Sequence, residues 1–179
     1  SAAGTRTGTV TLAHNGSGAS SFSLTGTGQA QSATLSTVTF PATAVGTSNT
    51  ATATLTNTGI GVLSTTAPTA ASVTGSGFSF VSTTCATTLA PAATCTTTVR
   101  FSPSSTTAAS GSLAIATGGG TKTVTLAATG IRGFASLSPT SLSFVPQQVG
   151  STSVAQVITI TNTGTNTLTF TGVSLSAGS

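Results

Sequence analysis

The sequence predicts an all-β protein built of tandem immunoglobulin-like antiparallel β-sandwich repeats of about 103 residues. Three observations predict it: the composition, an internal repeat, and a period-two alternation of apolar and hydroxyl side chains. Threonine and serine fill 71 of the 179 positions, glycine fills 21, and tryptophan, tyrosine and methionine are absent. Threonine is β-branched and glycine weakens helix interiors, so this composition favours strands. Alanine and leucine do not sustain the three-to-four-residue spacing of an amphipathic helix over a helix length, and essentially no helix is expected.

The repeat defines the organisation. The stretch Leu35 to Leu63 is echoed at Leu137 to Leu168, with Val45-Gly46 returning as Val149-Gly150 and Asn57-Thr58-Gly59 as Asn162-Thr163-Gly164. Gly8 to Gly28 is echoed at Gly111 to Gly130, and every offset lies between 102 and 105 residues. The chain therefore divides into 1–30, the C-terminal part of one repeat; 31–131, a complete repeat; and 132–179, the N-terminal part of a further repeat.

Taken in order, the complete repeat reads as seven or eight strands near 35–40, 51–57, 61–66, 71–82, 95–101, 111–117 and 121–128. Val38 and Phe40 share a parity, as do Val99 and Phe101, and Val124 and Leu126, with Ser or Thr usually at the opposite parity. That pattern buries one face and wets the other, as in an antiparallel sandwich. The expected core is Val38, Phe40, Leu55, Phe78, Phe80, Val99, Phe101, Leu113, Ile115, Val124 and Leu126.

Turn signals separate the strands. Asn15-Gly16 and Gly118-Gly119-Gly120 sit midway in matching hairpins, where residues tolerant of positive φ are needed. Asn57 with Gly59, and their copies Asn162 with Gly164, are expected to close another turn. Arg132-Gly133 reads as a linker too short for independent tumbling.

Charge excludes several functions. The chain carries four basic residues and no Asp or Glu, for a formal net charge of +4. Arg6, Arg100, Lys122 and Arg132 are scattered, whereas nucleic-acid binders cluster their cations, so no nucleic acid is expected as partner. Without carboxylates there is no acid–base pair for glycoside hydrolysis, no calcium cage and no Asp to orient a catalytic His. His14 and two cysteines do not make an ordinary zinc site. No catalytic residue, metal ligand or cofactor is expected, and the chain reads as not an enzyme. No run of 18 apolar residues exists to span a membrane, and no signal peptide is recognisable.

Cys85 and Cys95 are the only cysteines, with nine residues between them across a proline-containing loop. A disulfide is expected, closing a loop whose chain-entropy contribution is roughly 2–3 kcal/mol and implying an oxidising compartment. A redox-active pair is the alternative, but such pairs usually read Cys-x-x-Cys near a helix start. Asn15-Gly16-Ser17 fits the N-glycosylation pattern, although the turn reading of these residues is preferred.

The order Val45-Gly46, Asn57-Thr58-Gly59, Cys85 to Cys95 with Leu89-Ala90-Pro91 between them, Phe101-Ser102-Pro103 and a closing Thr129-Gly130 resembles the bacterial hydin-like immunoglobulin repeats. These are also called choice-of-anchor D domains and are related to the ASH and major sperm protein domains. The resemblance spans the whole chain, with 31–130 matching one unit. It implies a β-sandwich of long surface-exposed bacterial proteins, with no catalytic residues to carry over. Bacterial members usually keep some acidic residues, and this chain departs from them there.

The expected function is thus a structural segment of an extracellular bacterial filament, stalk or cell-surface protein. Its partner is itself, through head-to-tail repeats or subunits. The alternative is an adhesive module binding a surface glycan or protein, which lacks the aromatic loop anchors such sites use. The first and last residues fall inside repeats. The chain is accordingly expected to be an excerpt of a longer one, with strand sharing between subunits as the rival.

Overall fold

The computed structural model describes residues 3–176. Its first element is a hairpin of β1 (Gly4–Ala13) and β2 (Ala19–Gly28). The body that follows contains β3 (Ala33–Leu35), β4 (Thr43–Ala44), β5 (Asn49–Asn57), β6 (Leu63–Ser64), β7 (Val73–Thr74), β8 (Phe78–Thr83), β9 (Thr88–Leu89), β10 (Thr94–Phe101), β11 (Ala108–Ile115) and β12 (Lys122–Ile131). Then come β13 (Ala135–Ser138) and β14 (Thr159–Asn162). Apart from one 3-10 turn at Ala70–Ser72, the described residues hold no helix.

Two four-stranded sheets, ordered β3-β5-β10-β8 and β4-β12-β11-β7, share one core. Only β4 with β12 pairs in parallel; the other pairs are antiparallel. Ala53, Leu55, Val99 and Phe101 from the first sheet meet Leu113, Ile115, Leu126 and Ala128 from the second. Phe40, Phe78 and Phe101 form a triad with ring centroids 5.0–5.9 Å apart, a spacing at which tilted aromatic rings attract. Polar side chains in this core are satisfied. Thr43 receives the Asn49 amide at 3.0 Å, and Thr97 shares a 3.0 Å hydroxyl bond with Thr83.

The all-β class and the antiparallel sandwich are as expected, and several details differ. The strand expected at 35–40 stops at Leu35. Residues 36–42 instead cross from the first sheet to the second, where Thr43 and Ala44 pair with Gly130 and Ile131. The strand expected at 71–82 is split between the sheets, because Gly75 and Gly77 adopt φ of +101° and +82°, which a continuous strand does not contain. The span expected at 61–66 shortens to Leu63–Ser64, with Thr65 bridging to Thr117. Val38, Phe78, Phe80 and Val124 are half-buried rather than enclosed. The core also takes in Ala33, Leu63, Leu89 and both cysteines.

The flanking segments reproduce parts of this body. In β1–β2, Gly8 faces Leu24, Val10 faces Phe22 and Leu12 faces Ser20. In β11–β12 the repeat-related residues Gly111 and Leu126, Leu113 and Val124, and Ile115 and Lys122 face each other in the same way. Likewise Leu137 faces Ile160 as Leu35 faces Leu55.

Candidate functional site

Local sequence places the Asn-Thr-Gly turn at the end of β5. The alternation of that strand brings Asn57 to the buried parity after Ala53 and Leu55, so its amide must find partners inside. It finds them around the cysteine loop. The Asn57 side-chain amide donates to the carbonyls of Gly61 and Leu89, both at 2.9 Å. Its side-chain oxygen accepts the Gly59 N–H at 2.9 Å. The Asn57 backbone N–H donates to the Ala93 carbonyl, and its carbonyl accepts the Ala92 N–H.

The loop that supplies Leu89, Ala92 and Ala93 is closed by Cys85 and Cys95, which are disulfide-bonded with Cα atoms 4.9 Å apart and are both buried. Within it β9 pairs with β6, and the Thr65 hydroxyl donates to the Ala86 carbonyl. The bridge therefore holds a polar clamp as well as a shortened loop, a role that cysteine spacing alone does not reveal.

The same turn grips the incoming chain. The Thr58 and Gly59 N–H groups both donate to the Ser32 carbonyl. The copy repeats this: Thr163 N–H donates to the Phe134 carbonyl at 2.8 Å, Gly164 N–H to the Asn162 side-chain oxygen at 3.0 Å, and the Asn162 amide to the Asn166 carbonyl at 2.8 Å. A Cβ on Gly164 would lie 2.2 Å from the Arg132 carbonyl oxygen, which is why glycine stands there. Asn162 is exposed where Asn57 is buried.

The linker consequently has little slack. The Ile131 carbonyl accepts the Val45 N–H of the central sandwich, while the next carbonyl, of Arg132, accepts the Thr165 and Asn166 N–H groups of the following segment. Arg132 also sets its guanidinium 5.7 Å from the centre of the Phe134 ring, within cation–π range.

The remaining candidates lie apart from this clamp. Asn15 and Gly16 occupy the exposed turn of the β1–β2 hairpin, where the Gly16 N–H donates to His14 Nδ1 at 3.1 Å and His14 Nε2 lies 3.1 Å from the Ser20 hydroxyl. Among the described residues no three of His, Cys, Asp and Glu gather as metal ligands. A groove of about 300 Å³ near Gly77, Phe101, Pro103 and Ala109 is lined by hydroxyl and apolar groups without a titratable side chain. No helix of the described residues is long and apolar enough to cross a membrane.

The flanks present apolar surface. Val10, Leu12, Phe22 and Leu24 are 41%, 64%, 61% and 50% exposed, whereas Leu113, Ile115 and Leu126 at the related positions are buried. Leu137, Phe144, Ile160 and Phe170 are exposed as well.

A protein-family model described as ASH, abnormal spindle-like microcephaly-associated, ASPM-SPD-2-Hydin, matches residues 26–124. The chain belongs to the ASH family. Its ASH region contains the cysteine bridge and the Asn57 turn, so the clamp is part of the family domain itself, and the coarse class is a structural or protein-interaction module. No curated protein sequence matches the chain.

Among solved structures, the ASH/PapD-like domain 7 of human CEP192 is 14% identical with a TM-score of 0.37, the match covering 55% of this chain and 82% of that one. The secreted serine protease VesC of Vibrio cholerae is 14% identical with a TM-score of 0.41 over 55% of this chain and 24% of its own. The VesB protease of Vibrio cholerae is 22% identical with a TM-score of 0.38 over 56% and 31%. The ASH chain thus spans about a quarter to a third of the length of the two proteases it matches.

Proposed function

We propose that this ASH chain is a structural segment of an extracellular bacterial filament, stalk or cell-surface protein of the choice-of-anchor D type, without catalytic activity of its own. Stacked sandwiches supply length and stiffness, and the partner of each is another repeat of the same kind. The observation that carries this reading is the residue-by-residue register shared by β1–β2 and β11–β12. One copy of that apolar face is covered by a facing sheet, and the other is exposed and has the same shape to offer.

The disulfide supports an oxidising, extracellular setting. The clamped linker supports a stiff array, because consecutive carbonyls are held by different repeats. A surface rich in hydroxyls keeps such a rod hydrated with few charges.

The test is negative-stain electron microscopy and sedimentation of the protein over a range of concentrations, beside a Phe22→Ser, Leu24→Ser double variant. Linear particles that lengthen with concentration, and shorten in the variant, are expected. Compact particles of one fixed size in both proteins would overturn the reading.

A further inference from the structure

The hairpin turn at His14–Gly18 has no part in the clamp, yet it arranges three groups in a chemically specific way. Asn15 is followed by Gly16, which has no side chain to obstruct attack by its backbone nitrogen on the Asn15 amide carbon. His14 Nδ1 already accepts the Gly16 N–H proton at 3.1 Å, within reach of a general base. For Nδ1 to accept, Nε2 must carry the ring proton, and Nε2 lies 3.1 Å from the Ser20 hydroxyl, which can receive it. The whole turn is exposed, so the Asn15 side chain is free to rotate toward its neighbour and water has access.

We propose that Asn15 is a self-modification site, converted to aspartate or isoaspartate with His14 as the base. His14 Nδ1 takes the Gly16 N–H proton, and the nitrogen forms a bond to Cγ of Asn15. The Cγ–Nδ2 bond then breaks, and the amide nitrogen leaves as ammonia with the proton returned by the imidazolium. Solvent water adds to either carbonyl of the resulting five-membered imide and opens it. No oxidant or cofactor is consumed.

The other four asparagines supply an internal comparison. Asn49, Asn57, Asn162 and Asn166 are each followed by threonine, whose β-branched side chain crowds the attacking nitrogen. Asn57 is in addition buried with its amide doubly bonded. Conversion at Asn15 to either product would introduce a free carboxylate into a chain with no Asp or Glu, lowering its formal charge of +4 by one. The product is therefore readable as a charge isoform.

The experiment ages the folded protein at neutral pH and follows each asparagine by peptide mass spectrometry and isoaspartyl methyltransferase labelling. Wild type is set beside His14→Gln, which keeps a hydrogen-bonding side chain but no base. Conversion confined to position 15, and slowed at least about tenfold by His14→Gln, is expected, since a positioned base contributes about 10²–10⁴-fold. In denaturant the two proteins should converge. An unchanged rate in His14→Gln, or the same gap between the two proteins in denaturant, would overturn the proposal.

Discussion

The side-chain amide of Asn57 lies 2.9 Å from the carbonyl oxygen of Leu89, 32 residues further along the chain, and this bond ties the Asn-Thr-Gly turn to the disulfide loop. Turn, loop and the Ser32 segment that the turn grips are consequently one unit. Perturbing any of the three should be felt by the others.

Reduction of the bridge, or a Cys85→Ser, Cys95→Ser double substitution, is expected to lower stability by roughly 2–3 kcal/mol through loop entropy alone. Because Ala93 and Leu89 bind Asn57, amide exchange should accelerate at Asn57 and Gly59 as well as within residues 86–94. Exchange confined to the loop would show that the clamp stands without the bridge.

Asn57→Asp should cost more than removal of one hydrogen bond, at least about 2–3 kcal/mol at neutral pH. The new carboxylate would face the carbonyls of Gly61 and Leu89, which accept and cannot donate. Its folded pKa would be raised above the unfolded value of about 3.9, so the penalty is complete above the folded pKa and fades as pH falls toward the unfolded one. Denaturant melts of variant and wild type should approach each other in acid; a gap that widens there would contradict this.

Phe101→Ala should destabilise the sandwich by about 3–5 kcal/mol, because the ring is enclosed and contacts both other members of its aromatic triad. Phe22→Ala, on the exposed hairpin face, should leave the melting of the central sandwich almost unchanged. Calorimetry of the two variants compares a filled position with an open one.

The chain has no side-chain carboxylate. Stability that depends on ionised Asp or Glu with depressed folded pKa values is lost as pH falls, and here there is none to lose. Thermal melts at pH 6 and pH 2 should therefore give nearly the same midpoint, and a steep fall would mean that another titration governs folding.

Much of this was legible in the residues. Leu113, Ile115 and Leu126 alternate with small or hydroxyl residues, and the copied Asn-Thr-Gly and Val-Gly steps mark the repeat. The inner positions Ala33, Ala53 and Thr97 escaped because alanine and threonine occupy both faces here, so parity carries no contrast. The broken strand at 71–82 escaped because Gly75 and Gly77 read as ordinary small residues until their φ is known. The Asn57 clamp escaped for a different reason: a bond across 32 residues leaves no local spacing to read.

The linker has a geometric consequence. Ile131 is held by one body and Arg132 by the next, and the Thr58 bond to Ser32 returns as the Thr163 bond to Phe134. If each boundary is rebuilt by the same turn, each step along an array applies one fixed rotation and one fixed translation. Equal screw steps generate a superhelix, whose pitch is then encoded in a three-residue turn and inherited whenever a unit is duplicated.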